Sequence, residues 1–141
     1  MDVSYILDEL NDAQRQAVTS ESKKLLVLAG AGSGKTKVLV HRIAWLIKAL
    51  SNSTHSILSV TFTNKAANEM TGRIEQILDQ PIPEMWCGTF HSISNRLLRR
   101  HYKEAGLEKD FSILDSDDQL RVIKRNLKEL DIDEDQWPPE K

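Results

Sequence analysis

The most informative stretch of this sequence reads Ala29-Gly30-Ala31-Gly32-Ser33-Gly34-Lys35-Thr36. It follows the apolar run 25–28, which predicts a buried parallel strand, and it precedes residues 38–47, whose apolar side chains recur at helical spacing. A glycine-rich turn between a strand and a helix is the context that a phosphate-binding P-loop requires. One position departs from the usual pattern, because Ala29 stands where a glycine is typical. The stretch therefore predicts a site for a nucleoside triphosphate.

Each residue type in this turn has a chemical role. Glycines let the backbone curl, so that successive amide N–H groups point at one anion, and the helix that begins near Gly34 adds its positive dipole end. Lys35 supplies a mobile cation for the outer phosphates, and the Thr36 hydroxyl is placed to ligate Mg²⁺. Lys35 and Thr36 are therefore the predicted catalytic residues, and Thr36 is the predicted metal ligand. The predicted phosphate-binding residues are Ala31, Gly32, Ser33, Gly34, Lys35 and Thr36.

Composition places the chain among ordinary globular proteins. It has 141 residues, of which 40% are hydrophobic and 28% charged, with a net charge of −2, so overall charge does not indicate a nucleic-acid binder. A basic patch can still exist on such a protein, and residues 96–103 carry five basic side chains, whereas residues 131–135 carry four acids. The single Cys87 excludes an internal disulfide. With no signal peptide or membrane-spanning run in the sequence, we expect a soluble, cytoplasmic protein.

The order of the remaining elements predicts an α/β chain with a parallel sheet. Helix patterns cover 10–18 and 64–78, strand patterns cover 57–62 and 85–88, and the chain becomes all-helical from about residue 89, with a further helix from 116 to 130. Ligands gather beyond the carboxyl ends of parallel strands. Residues 61–65 and 88–92 therefore become candidate site residues beside the P-loop.

Two features have both a functional and a structural interpretation. Gln14 lies upstream of the P-loop strand, where its amide can read an adenine edge or can complete the cap of a helix whose expected N-cap is Asn11. The helix after residue 89 is expected to bury Ile93, Leu97 and Leu98, and its basic side binds nucleic acid or is a solvated surface.

Several segments together resemble the motifs of superfamily 1A DNA helicases of the UvrD/Rep/PcrA family. Residues 10–18 resemble the Q motif, 29–36 motif I, 60–70 motif Ia and 88–92 motif Ib, in the family's order and spacing. Residues 110–139 resemble the helical insertion of the UvrD-type members, which fit better than Rep or PcrA. The resemblance implies an ATP- and Mg²⁺-dependent enzyme of DNA repair that moves 3′ to 5′ on single-stranded DNA and unwinds duplexes.

The resemblance also implies roles for individual residues. Gln14 contacts adenine, and Lys37 stands where relatives commonly have an arginine that packs over the adenine ring, with Arg73 as a replacement guanidinium. Phe62 stacks on a base, unless it is a core residue that ends its strand, and His91 contacts DNA, unless it caps or packs a helix. The expected DNA-binding residues are Thr61, Phe62, Asn64, Thr89 and His91.

Several parts of such a helicase are missing from this sequence. No apolar strand is followed by the paired acids of a Walker B motif, and no second RecA-like domain supplies an arginine finger. We therefore expect residues 1–90 to be a partial RecA-like domain 1A and residues 91–141 a partial helical domain 1B, together a fragment that is inactive alone. Its unpaired sheet edge predicts a dimer. The alternatives are a stand-alone P-loop nucleotide-binding module and a P-loop enzyme that is not a helicase.

Overall fold

The computed structural model describes residues 3–133 and 136–139, so two acids of the acidic stretch, Glu134 and Asp135, lie outside the described residues. The chain forms two compact units, Met1–Arg100 and His101–Lys141. The predicted boundary at residue 90, between a partial domain 1A and a partial domain 1B, concerns the domains of the helicase family and stays a prediction.

Most secondary structure lies in the first unit. Its helices are α1 (Asp12–Thr19), α2 (Lys35–Lys48), α3 (Asn64–Leu78) and α4 (Phe90–Arg100), its strands are β1 (Leu58–Thr61) and β2 (Trp86–Thr89), and short 3₁₀ turns span Ser4–Ile6 and Thr54–Ser56. The two strands are parallel and pair from Leu58 opposite Trp86 to Thr61 opposite Thr89. Because α3 connects two parallel strands, the unit contains one β-α-β crossover.

The core of the first unit lies between α2 and α3. Apolar side chains repeat every three or four residues along both helices, so each helix presents a continuous apolar stripe to the other. Val40 and Ile74 are among the side chains that are completely buried, and Ile6 closes the cluster from the amino-terminal side. The nine buried members of the cluster are Ile6, Val40, Ile43, Ala44, Met70, Ile74, Leu78, Ile82 and Met85.

The ends of α1 and α3 follow from their capping residues. The Asn11 side chain accepts a hydrogen bond from the Gln14 backbone while the Gln14 side chain accepts one from the Asn11 backbone, which is a capping box. Thr63 caps α3 through its hydroxyl, and Asp79 ends the helix in a left-handed conformation. The predicted helices over 10–18 and 64–78 are thus confirmed, although the first starts at Asp12 and ends at Thr19.

The predicted strand over residues 25–28 is wrong. These residues have no regular secondary structure, and their side chains are exposed, with Leu26 80% and Leu28 85% accessible. A strand is stabilised by hydrogen bonds to a neighbouring strand, and the sheet of the described residues consists of β1 and β2 only. The apolar run therefore has the composition of a strand but does not pair with another strand in this structure.

The predicted buried side of α4 is only partly correct. Ile93 is buried, but Leu97 and Leu98 are exposed. Arg96 belongs to the basic side of α4, and its guanidinium lies 4.4 Å from the centroid of the Trp86 ring. That contact gives one member of the basic face a packing role.

In the described residues of the second unit, the helix is α5 (Ser116–Glu129). Its N-cap is Asp115, whose carboxylate accepts a hydrogen bond from the Asp118 backbone. Leu120, Ile123 and Leu127 are half-buried on one side of the helix. The segment 111–114 before it has no regular secondary structure.

The fold class is therefore the predicted one. The chain is mixed α/β, with a two-stranded parallel sheet and a helical segment at its carboxyl end. In the part of the chain that the structure describes, no helix has the length and apolar character required to cross a membrane.

Candidate nucleotide and nucleic-acid site

The P-loop forms a tight turn at the amino-terminal end of α2. Gly32 and Gly34 have φ angles of +73° and +83°, in the left-handed region that a residue with a side chain adopts only with strain. Gly34 is the N-cap of α2, and its carbonyl accepts the first hydrogen bond of the helix from Val38. The loop therefore leads directly into a helix N-terminus, and a glycine-rich loop at this position is an arrangement that binds phosphate.

Lys35 lies folded back over the loop. Its Nζ donates hydrogen bonds to the carbonyls of Gly30, at 2.7 Å, and Ala29, at 3.0 Å. The Ser33 hydroxyl also donates to the Gly30 carbonyl, at 2.7 Å. Ala31, Gly32 and Thr36 are exposed, so the predicted phosphate-binding backbone and the predicted Mg²⁺ ligand both face solvent.

Gln14 connects helix α1 to this loop. Its Oε1 accepts from the Asn11 backbone within the capping box, and its Nε2 donates to the Ser33 carbonyl at 3.1 Å. A Cβ built on Gly34 would lie 2.8 Å from the same Nε2, so the glutamine amide occupies the space beside that glycine. The capping role of Gln14 is therefore real, and the side chain is also a direct neighbour of the P-loop.

Lys37 does not lie free over the loop. Its Nζ is 3.0 Å from the Glu9 carboxylate and also donates to the Glu9 carbonyl at 2.9 Å. The hydrogen bond from Lys37, followed by the charge of the same ammonium group, lowers the pKa of the Glu9 carboxyl below its ordinary value of 4.5. The pair is exposed, so its attraction is weakened by solvent.

A cavity of about 540 Å³ lies between the amino-terminal segment, α2 and α3. Lys37 lines it together with Arg73, so the two predicted adenine-side cations lie around one space. The buried His41 is held there by a hydrogen bond between its Nδ1 and the carbonyl of Ile6. The lining residues are Tyr5, Glu9, Lys37, Val40, His41, Arg73, Gln76 and Ile77.

A second group of predicted site residues lies at the carboxyl ends of the strands. Thr61 and Thr89 are directly opposite each other in the sheet. The Thr61 hydroxyl donates to the Thr63 carbonyl, and the buried Thr89 hydroxyl accepts from the Ser92 backbone at the start of α4. Both hydroxyls thus organise the turns that follow their strands.

Aromatic side chains follow both threonines. Phe62 is 93% exposed and is therefore not a core residue, and its ring centroid lies 6.2 Å from that of Phe90. Asn64, the first residue of α3, and His91, in the first turn of α4, are exposed as well. The capping contact at this helix start is made by Thr89.

Two residues near these candidate sites, Glu9 and Phe90, are not among the residues predicted from the sequence. Glu9 holds Lys37 through a contact between residues 28 positions apart, which no local pattern announces. Phe90 had a detectable signal, because the dipeptide Thr-Phe ends the predicted strand 57–62 and directly follows the predicted strand 85–88. Matching the two dipeptides would have placed the phenylalanines side by side.

The fold and the loop define a P-loop α/β protein with a second polar and aromatic site at the ends of its strands. Comparison with known families identifies one family within this class. The family described as UvrD/REP helicase N-terminal domain matches residues 10–141. The chain belongs to this family.

Similar curated proteins carry related names. The chain is 60% identical to DNA helicase II of Escherichia coli (strain K12) and 59% identical to DNA helicase II of Salmonella typhimurium, in each case over 99% of this chain and 19% of the relative. It is 48% identical to the ATP-dependent DNA helicase PcrA of Bacillus subtilis (strain 168), over 96% of this chain and 18% of the relative. The chain thus spans about a fifth of the length of the relatives that it matches.

Proposed function

We propose that this chain is the ATP- and single-stranded-DNA-binding part of an ATP-dependent 3′-to-5′ DNA helicase that acts in DNA repair or replication. The observation that carries the proposal is the contact of Gln14 with the P-loop, which joins the predicted base-reading side chain to the predicted phosphate-binding turn. Membership of the UvrD/REP family supports the same assignment.

In the proposed nucleotide site, Lys35 exchanges its two backbone carbonyls for the outer phosphate oxygens. The exchange is favourable because hydrogen bonds between an ammonium group and a phosphate are stronger than those to a neutral carbonyl. The backbone N–H groups of residues 31–34 and the helix N-terminus then hold the remaining phosphate charge. Gln14 reads the base with the same amide that now contacts Ser33.

The residues present fit a Mg²⁺ ion that is bound mainly through phosphate. Thr36 has an exposed hydroxyl on the first turn of α2, next to the proposed phosphate position. No group of three or more acidic, histidine or cysteine side chains that would hold a metal by themselves occurs among residues 3–133 and 136–139. Mg²⁺ commonly takes one or two protein ligands and completes its shell with water and phosphate oxygens. It would neutralise developing phosphate charge there, and Thr36 would hold it.

Lys37 and Arg73 form the base side of the proposed site. Both line the same cavity, whose volume of about 540 Å³ accommodates a nucleoside. Lys37 keeps the attraction of a cation for an aromatic ring but lacks the planar surface of an arginine, which Arg73 supplies from α3.

The proposed DNA site lies at the ends of β1 and β2. Phe62 offers an aromatic face to a base without regard to sequence, which suits an enzyme that moves along DNA. Thr61, Asn64, Thr89 and His91 supply polar groups for phosphates and sugars. The proposed partners are single-stranded DNA, duplex junctions and other repair proteins, with a dimer through the sheet edge and a cytoplasmic location.

Binding of a non-hydrolysable ATP analogue with Mg²⁺ tests the proposal. We expect Lys35→Ala to weaken binding roughly 10- to 100-fold, because a charged hydrogen-bond partner is lost. The matched control is Lys109→Ala, which removes the same charge from the second unit, and calorimetric titration measures both. Equal binding by wild type and Lys35→Ala would contradict the proposed site.

The alternative, a nucleotide-binding module that has no helicase function, gives a different result in a longer chain. A protein that extends this sequence to the length of its relatives should hydrolyse ATP faster when single-stranded DNA is added. An ATPase rate that ignores DNA would favour the alternative, including a P-loop enzyme of another kind.

A further inference from the structure

The parallel register places two phenylalanines side by side. Thr61 pairs with Thr89 at the last position of β1 and β2, and each threonine is followed directly by a phenylalanine. Phe62 and Phe90 therefore leave the sheet at the same level and at the same edge. Their ring centroids are 6.2 Å apart, and the ring planes are inclined by 57°. This is the separation and the tilted geometry that aromatic pairs prefer.

Burial does not explain this pair. Phe62 remains 93% exposed and Phe90 59% exposed, so the contact removes little apolar surface from water. An exposed pair of large apolar rings at the edge of a proposed ligand site is typical of an interaction surface. The contact therefore contributes little to the stability of the fold, and its main effect is to orient the two rings relative to each other.

The two rings differ in how far they are exposed, although hydrogen bonds hold the backbone beside each of them. Phe90 opens α4, and the turn around it is fixed by the Thr89 hydroxyl, which accepts from the Ser92 backbone, and by the buried Ile93. Phe62 lies in the bend between β1 and α3, where the Thr61 hydroxyl donates to the Thr63 carbonyl. The ring of Phe90 is the more covered of the two, at 59% exposure against 93%, and can restrict the ring of Phe62.

From these observations we infer that Phe90 is a positioning residue that holds the Phe62 ring in the orientation for stacking on a DNA base. The inference rests on the proposed function, because it assumes that Phe62 stacks on a base. Ordering an exposed side chain on binding opposes association, and a ring that is already oriented avoids much of that cost.

A double-mutant cycle on this chain tests the inference. The variants are Phe62→Leu, Phe90→Leu and the double substitution, with Phe90→Tyr as the variant that keeps the ring. The probes are an oligothymidylate and an abasic oligodeoxynucleotide with the same number of phosphates, at low ionic strength. We expect Phe90→Leu to weaken oligothymidylate binding roughly three- to tenfold and Phe90→Tyr to restore it, since an aromatic pair contributes about that factor.

Two further results are expected of a residue that acts through another. Phe90→Leu should leave binding of the abasic probe unchanged, because phosphate contacts do not need the rings. It should also have no effect in the Phe62→Leu background. In the absence of DNA, the ring-proton NMR shifts of Phe62 should move in Phe90→Leu and stay close to wild type in Phe90→Tyr, while the melting temperature of both variants stays near wild type.

The outcomes separate this inference from the proposed function. If Phe62→Leu weakens oligothymidylate binding and Phe90→Leu does not, or if the Phe62 resonances do not move, the positioning role is wrong and the DNA site stands. A Phe90→Leu effect that persists in the Phe62→Leu background would show that Phe90 acts independently of Phe62. If wild type does not bind, or binds both probes equally, the proposed stacking site itself is wrong.

Discussion

The two candidate sites of this chain differ in how far their polar and aromatic groups are already engaged. At the P-loop, Lys35 is hydrogen-bonded to two backbone carbonyls, Gln14 to Ser33, and Lys37 to Glu9. At the strand ends, Phe62 is almost fully exposed, and its ring pairs with that of Phe90, which is also exposed. A nucleotide must therefore replace internal hydrogen bonds, whereas a base can stack without displacing any bond made by that ring.

This difference has an energetic consequence. Hydrogen bonds that a ligand replaces return only the difference between the old and the new partner, so the P-loop favours a ligand with strongly charged oxygens. Stacking on an exposed ring has no such competition and depends on the orientation of the ring. On the proposed function, we therefore expect the first site to be selective for phosphate and the second to be tolerant of sequence.

The largest effect is expected from Gly34→Ala. An alanine at a φ of +83° is strained by about 1–2 kcal/mol, and its Cβ would lie 2.8 Å from the Gln14 amide nitrogen. The substitution should lower the free energy of unfolding by at least that amount and weaken nucleotide binding more than tenfold. Chemical denaturation and ATP-analogue titration measure the two effects.

The control for that prediction is Gly72→Ala. Gly72 lies in α3, and a Cβ there meets no atom within 4 Å. Replacing a helical glycine by alanine should raise the free energy of unfolding by about 0.4–1 kcal/mol without changing nucleotide affinity. A Gly34→Ala protein as stable as this control would show that the loop does not need the observed conformation.

An intermediate effect is expected from a comparison of Gln14→Ala with Asn11→Ala. Both remove half of the same capping box, so each should cost about 0.5–2 kcal/mol in the free energy of unfolding. Only Gln14 also contacts the P-loop. We therefore expect Gln14→Ala, and not Asn11→Ala, to reduce the preference for adenosine over guanosine triphosphate in competition binding. Equal loss of preference in both variants would assign the effect to α1 as a whole.

The smallest effect is expected from Glu9→Gln. The substitution releases Lys37 from its carboxylate and should strengthen ATP-analogue binding by about twofold to threefold, a factor typical of an exposed ion pair. A neutral glutamine in place of the carboxylate should also change how stability depends on pH, because Lys37 lowers the pKa of Glu9 in the folded chain.

The sign of this pH effect follows from the lowered pKa. The carboxylate contributes stability above the ordinary pKa of 4.5, and the contribution disappears as the pH falls through the lower value of the folded state. Wild type should therefore be more stable than Glu9→Gln at neutral pH, and the difference should shrink in acid below about pH 4.5. Urea denaturation at several pH values measures it, and a difference that is constant across the acid range would rule out the ion pair as its cause.

Local sequence was sufficient to determine several parts of this protein. The P-loop, the capping residues Asn11 and Thr63, and helix α3 each depend on residues within a few positions of one another, so the pattern contains the interaction that forms the structure. The α/β class follows from the order of these elements, and the family follows from the order of the motifs. The roles predicted for Lys35, Thr36 and Gln14 rest on the same local patterns and stay predictions.

The tertiary structure alone decided which of these groups touch. The apolar run 25–28 has the composition of a buried strand, yet it remains exposed, because a strand also needs a partner whose position no local pattern encodes. The pairing of Lys37 with Glu9 and of Phe62 with Phe90 depends on how α2 packs and how β1 and β2 align, over separations of 28 residues in each case (37 minus 9 and 90 minus 62). Such contacts are formed by packing and register, which are properties of the whole fold rather than of any one segment.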